Sequence, residues 1–167
     1  MACRNAPTNS VFCAISARQS SIRAALVTPA TRRAGLLRAH VLASEVEGLD
    51  AGLYLVEGAG EALLPEGVGE YRDRLAHCSL GQEIALRCAA ALVFTAPANV
   101  AVDRFGDRAY RYLHLDAGAA GQRFQLAATA LGVQACGIGG FFDDATADLV
   151  GIPAGDWVLY LGTMGGE

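Results

Sequence analysis

The stretch Gly137-Ile138-Gly139-Gly140 carries the residue types that most suggest ligand chemistry. Glycines let a backbone lie against a flat ligand and leave amide N–H groups free to donate. The spacing is not that of the dinucleotide-binding fingerprint, and the stretch follows a helical pattern rather than a strand. Asp143 and Asp144 come next; one of them reads as the cap of a short helix ending at Val150, rather than the pair as cation ligands. His40, His77 and His114 have no neighbour at a spacing suited to a triad or a metal site, although imidazole titrates where acid–base work needs it. The five cysteines, Cys3, Cys13, Cys78, Cys88 and Cys136, include no pair spaced for a zinc knuckle or a redox dithiol and read as reduced thiols. No side chain stands out as a catalytic acid or base, so the catalytic residues stay unassigned, and no metal is expected.

The elements that must position the glycine stretch are legible on both sides of it. Leu113, Ala117, Ala120, Phe124, Ala127 and Leu131 fall on one stripe, which predicts a helix over about 109–131. At 1.5 Å per residue it is about 33 Å long, enough to cross a domain. Gly132 suits its C-terminal cap. The cluster Ala117-Gly118-Ala119-Ala120-Gly121 is small enough for another backbone to approach, as a second copy of the helix in a dimer would. Ala90–Ala96 is a near-continuous apolar run, as in a strand covered on both faces, and Trp157–Leu161 reads as a last strand. Strands are also predicted over 40–46 and 53–56, with a short stretch 61–64 ended by Pro65, and helices over 70–77 and 80–88. Residues 1–30 lack a clear period and read as an irregular lead-in.

Composition narrows the function. The chain has 167 residues, 53% hydrophobic, which suits one domain with a substantial core. All 13 basic residues are arginine against 17 acidic ones, for a net charge of −4. Without lysine there is no Schiff base and no phosphate-loop lysine. Without a basic run, nucleic acid is not an expected partner. Charged and polar residues interrupt the stretch 113–133, so no membrane span is expected, and the apolar run 11–15 is too short for a signal peptide. The chain reads as cytoplasmic.

A longer set of strings adds a family likeness. Phe105-Gly106-Asp107-Arg108-Ala109-Tyr110-Arg111-Tyr112, Leu115-Asp116-Ala117-Gly118, Gln122, Leu126–Gly132 and Gly137–Phe141 together resemble the nitroreductase superfamily. Within it they look most like the SagB-type dehydrogenase group of flavin enzymes. Val46–Tyr54 and Ser79-Leu80-Gly81-Gln82-Glu83 fit as well, so the likeness covers about residues 33–165.

The resemblance implies an α+β fold, with a mixed, mainly antiparallel sheet around a long central helix and helices on both sides, over residues 31–167. It implies a homodimer with FMN at the subunit interface, and two half-reactions on a small-molecule or peptide substrate, with NAD(P)H as a possible electron donor. The backbone of Ile138, Gly139 and Gly140 would face the flavin near N5, and a β-branched side chain at Gly140 would either clash with the ring or forbid a positive φ. The loop at Arg33 and Ala34 would also touch the cofactor. The arginine motif that clamps the FMN phosphate has its nearest match in Arg18-Gln19-Ser20-Ser21-Ile22-Arg23, so Arg18 and Arg23 join Arg33 as phosphate ligands. Relative to the family the N-terminal part is shortened or divergent, and no basic tail follows the last strand. Azoline-oxidising members tend to carry a Lys-Tyr pair where this chain has Arg104-Phe105, and arginine stays protonated near neutral pH. The alternative expectation is therefore a catalytically degenerate scaffold serving as a binding or partner subunit.

Overall fold

The structure, a computed structural model, describes residues 17–18, 35–57 and 62–165. The strands are β1 (Ala17–Arg18), β2 (Arg38–Ala43), β3 (Val46–Glu47), β4 (Gly52–Glu57), β5 (Ala62–Val68), β6 (Ala90–Ala96), β7 (Ala135–Ile138) and β8 (Trp157–Met164). Six of them form one sheet in the order β5-β4-β2-β6-β8-β7, with every neighbouring pair antiparallel. The sheet is thus mainly antiparallel as expected, and among the described residues the parallel pairing is that of the two-residue strands β1 and β3. The helices are α1 (Arg72–Cys78), α2 (Glu83–Leu86), α3 (Ala98–Phe105), α4 (Ala109–Ala130) and α5 (Asp143–Val150).

Strand β6 shows why the sheet lies between two layers. Its seven residues are all buried, and alternate side chains serve opposite cores. Leu92 and Phe94 join Ala101, Leu113, Ala117 and Phe124 of α3 and α4 on one face. Ala91 and Val93 join Leu75 of α1, Ala85 of α2 and Leu149 of α5 on the other. The α+β class with helices on both sides is what this arrangement gives.

Local chemistry moved several boundaries. The helix expected over 80–88 shrinks to the four residues of α2, because Leu80 and Gly81 adopt positive φ of 58° and 74°. Pro65 does not end β5. It sits at a bulge on an edge strand, where its missing N–H costs no ladder bond. Helix α3, not anticipated, is followed by a short 3-10 turn at 106–108 that leads into α4. Neither Asp143 nor Asp144 caps α5: Phe142 holds the cap position, and both aspartates lie in the first turn, where the helix dipole favours them. Gly132 does close α4, with φ 72°. The apolar stripe shifts at its end, with Ala128 buried and Leu131 exposed. Among the described residues no helix is long and apolar enough to cross a membrane.

One buried polar group ties the edge of the sheet to its centre. His40 is 3% exposed; its Nδ1 lies 3.2 Å from Glu66 Oε2 and its Nε2 3.0 Å from Thr95 Oγ1. Glu66 is the extra residue of the β5 bulge, between Pro65 and Gly67, so the bulge is what lets it reach across β4. Burial disfavours the imidazolium and outweighs the opposing pull of Glu66, so the His40 pKa lies below the ordinary 6.5. The unfolded chain then takes up this proton at a higher pH than the folded one. The contribution is full above about pH 6.5 and is lost as pH falls below it, by at most about 1.4 kcal/mol per pH unit. Urea midpoints measured between pH 7.5 and 5.5 will decline more steeply for the wild type than for His40→Gln, and equal slopes would rule His40 out as the source.

Candidate functional site

The glycine stretch leaves the sheet at its edge. Gly137 and Ile138 belong to β7, so a strand, not α4 directly, delivers the turn Gly139–Phe142 into α5. The turn is gripped by the last residue of α1 and by the loop that follows it. The Phe142 amide donates to the Cys78 carbonyl at 2.8 Å, and Gln82 Nε2 donates to the Gly140 carbonyl at 3.0 Å. Thr146 secures the Phe142 carbonyl from α5 with its amide at 2.9 Å and its hydroxyl at 2.8 Å. Among the described residues the amides of Gly139, Gly140 and Phe141 meet no acceptor. Three consecutive backbone donors are left over.

Those residues border a cleft of about 490 Å³ lined by Gly137, Ile138, Gly139 and Phe141 on one side and by Tyr110 and His114 on the other. Tyr110 and His114 stand one helical turn apart on α4, ring centroids 4.1 Å apart, and Trp157 meets Tyr110 edge-on at 5.1 Å. His114 Nδ1 lies 3.1 Å from the Tyr110 carbonyl, which requires the proton on Nδ1 and leaves Nε2 as the acceptor of the neutral ring. A second hollow of about 560 Å³ continues past Tyr110 and is walled by Asp143, Asp144, Asp148 and Trp157, an environment that repels anions. Among the described residues no arginine lines the cleft.

The cleft's floor depends on Tyr160. A Cβ on Gly121 would come within 2.6 Å of its ring, one on Gly162 within 2.8 Å and one on Gly137 within 3.0 Å of its hydroxyl. Three glycines from α4, β8 and β7 therefore make room for one ring. Burial raises the Tyr160 pKa, with Gln125 opposing through a long 3.4 Å bond to the hydroxyl.

Of the residues singled out in the sequence, Ile138 and Gly139 line the cleft and Gly140 adjoins it. Gly140 does not adopt positive φ, which removes one of the two reasons expected for it; a Cβ built there would also lie 3.2 Å from Leu80 Cδ1. Arg18 contributes backbone pairing in β1, while Arg23, Arg33 and Ala34 lie outside the described residues. Arg104 stacks over the ring of its neighbour Phe105 at 5.2 Å. Cys78 and Cys88 are buried free thiols, the latter pushed up to about 12 by desolvation, and Cys136 is exposed. Among the described residues no three metal-ligating groups converge. Gln82 and Tyr160 were missed, since long-range packing alone brings them to the turn; the spacing of Tyr110 and His114 was the available signal for the opposite wall.

The nitroreductase family pattern matches residues 17–166. This chain belongs to the nitroreductase family. Among solved structures, a putative nitroreductase from Anabaena variabilis superposes with a TM-score of 0.77 at 38% identity, over 83% of this chain and 28% of that one. The Escherichia coli microcin synthetase McbBCD complex with truncated pro-MccB17 bound gives 0.75 at 18% identity, over 90% and 64%. The NADPH:FMN oxidoreductase from Vibrio harveyi complexed with NAD+ gives 0.60 at 20%, over 89% and 57%. The present nitroreductase-family chain thus spans less than two thirds of each of these relatives. No curated protein matches it. In this family member the Tyr160 cradle makes a direct prediction. Gly121→Val will lower the folding free energy by about 1–3 kcal/mol, the usual cost of overpacking. Gly118→Val, whose Cβ meets nothing within 4 Å in the single chain, will leave the stability of that chain unchanged or slightly raised, since valine is the better helix former. Thermal or urea melts of the two variants provide the comparison.

Proposed function

We propose that this chain binds FMN against the Gly139–Phe141 segment and acts as a flavin-dependent oxidoreductase of the SagB-type dehydrogenase kind. The observation that carries the reading is the run of three unpaired backbone donors beside an aromatic-lined cleft. An isoalloxazine ring is flat, apolar on its faces and edged with nitrogen and oxygen acceptors, so this wall complements it. When bound, the flavin supplies the redox chemistry, in two half-reactions with successive substrates. The chain's own residues do the holding. The amides of Gly139, Gly140 and Phe141 take the ring edge, and Ile138, Tyr110 and Phe141 exclude water. Arg33, Arg18 and Arg23 take the phosphate, for which the acidic hollow is unsuited. No side chain is assigned as acid or base.

The rest of the reading has separate supports. Leu115 and Leu126, 62% and 59% exposed, flank Gly118 and Ala119 on the outer face of α4, a face suited to a second copy of this chain in a homodimer. NAD(P)H as electron donor is supported by the Vibrio harveyi relative, and a peptide rather than a small-molecule substrate by the microcin synthetase complex. The cytoplasm is the compartment that supplies such a donor. The stacking of Arg104 on Phe105 favours a second reading, a scaffold that has lost catalysis, because neither residue can take a proton there.

Purified protein decides between the two. The enzyme reading expects a yellow protein whose released cofactor has the mass of FMN, bleached by NADH or NADPH without oxygen. FMN should bind about two to four orders of magnitude more tightly than riboflavin. Two charge-assisted hydrogen bonds are worth about 1.5–3 kcal/mol each. The gap should narrow at high salt. Equal affinities would remove the arginine clamp, and a colourless protein that binds neither would leave the scaffold reading.

A further inference from the structure

The loop between α1 and α2 carries a cost that the fold itself does not use. Leu80 holds φ 58°, a conformation that a side chain with a Cβ adopts at a cost of about 1–2 kcal/mol, and it is 55% exposed, so burial gives little back. Gly81 follows at φ 74°. The two left-handed residues turn the chain tightly enough for the Gly81 amide to reach the Ala76 carbonyl at 2.8 Å and the Gln82 amide the Ser79 carbonyl at 3.2 Å. The turn delivers the Gln82 side chain to the Gly140 carbonyl, 58 residues away in sequence, and brings Leu80 against Gly140.

Peptide geometry gives that bond its consequence. A trans peptide is planar, and its C=O and N–H point in opposite directions. No peptide bond among the described residues is cis. Gln82 Nε2 holds the Gly140 oxygen from one side, so the N–H of the same peptide unit, that of Phe141, points away from Gln82. Phe141 lines the cleft and Gln82 does not. The next peptide is held by the same loop, through the Phe142 amide and the Cys78 carbonyl. The Phe141 amide is one of the three donors without an acceptor.

We propose that Gln82 is a positioning residue: by locking the Gly140–Phe141 peptide plane it aims the Phe141 amide at the acceptor edge of the ligand in the cleft. This rests on the reading of that ligand as FMN. Gln82 touches no reacting atom and acts through the peptide that it holds.

The test uses the full chain and FMN as the probe. Gln82→Met keeps the length of the side chain and removes the donor, whereas Gln82→Glu donates only while its carboxyl is protonated. The methionine variant should bind FMN about two- to twelvefold more weakly, the worth of one net hydrogen bond. Its bound flavin should show a shifted visible spectrum and midpoint potential, with the apoprotein melting as the wild type does. The glutamate variant should be weak at pH 8 and recover towards wild-type affinity as pH falls through the carboxylate range. Wild-type protein that binds FMN, with a methionine variant equal to it in affinity, spectrum and potential, would overturn the positioning role alone. A loss matched by lowered melting, without recovery of the glutamate variant at low pH, would reduce Gln82 to a structural contact. Wild-type protein that fails to bind FMN would overturn the cofactor reading and this proposal with it.

Discussion

The ring of Tyr160 is the contact around which the site is assembled. Side chains are absent from three elements at the points where they would meet it: Gly121 on α4, Gly137 on β7 and Gly162 on β8. A β-bulge opposite Phe94 and Thr95 makes the arrangement possible, because it lets both Leu159 and Tyr160 join the α4-side core instead of alternating. With the ring seated, α4 lies against the sheet edge, and its N-terminal half brings Tyr110 and His114 opposite the glycine turn. The cost is a partly buried hydroxyl with one long hydrogen bond to Gln125. An aromatic residue in place of a smaller one also buries a large apolar area, which offsets that cost.

How much of this was legible in the sequence follows from the range of each interaction. Helix α4 and strand β6 stood out because their apolar pattern is local and strong, and the structure keeps both to within a residue. The left-handed Leu80 could not be read, because nothing in a leucine advertises positive φ; the shortening of α2 follows from it. Pro65 misled in the opposite sense, since proline ends a central strand but is tolerated at an edge bulge. Helix α3 was lost between the apolar run before it and the glycine at 106 after it. At the candidate site, Gly139 and Gly140 were singled out by residue type, and the structure places Gly139 in the cleft lining and Gly140 next to it in the chain. Of the two reasons offered for Gly140, the positive φ failed, and the contact the structure shows there is with Leu80 across the turn. His40 is the converse case: its lack of a local partner in sequence hid two long-range ones, Glu66 and Thr95.

The two cores divide the work of holding the cleft. The α4 side supplies the opposite wall, through Tyr110 and His114, and the floor through Tyr160. The other side supplies the grip on the turn, from the loop that joins α1 to α2 and from Thr146 of α5. The helix leading into that loop is itself anchored at its far end: Arg72, at the start of α1, donates to Glu45 at 2.9 Å and Glu70 at 3.0 Å, and Glu70 accepts from Ser44 at 2.6 Å. Exposed ion pairs of this kind contribute little to stability individually. Their effect here is geometric, fixing the entry of α1 relative to the turn after β2, and through α1 the position of Gln82.

The unpaired donors of the turn set what kind of affinity the site can have. A buried amide without an acceptor costs about 1–3 kcal/mol, and three such groups would be hard for a small domain to carry. Gly139 is exposed and Gly140 and Phe141 are half-buried, so water can reach them while the cleft is open. A ligand acceptor must then displace water, and each bond it makes replaces another of similar strength. The gain comes from orientation: donors whose peptide planes are already held lose little freedom when a ligand arrives, whereas a mobile turn would have to be ordered at the ligand's expense. This explains why a costly left-handed leucine and a long-range glutamine bond converge on a segment of four residues. The free energy stored in the loop after α1 is recovered as pre-organisation of the turn it supports.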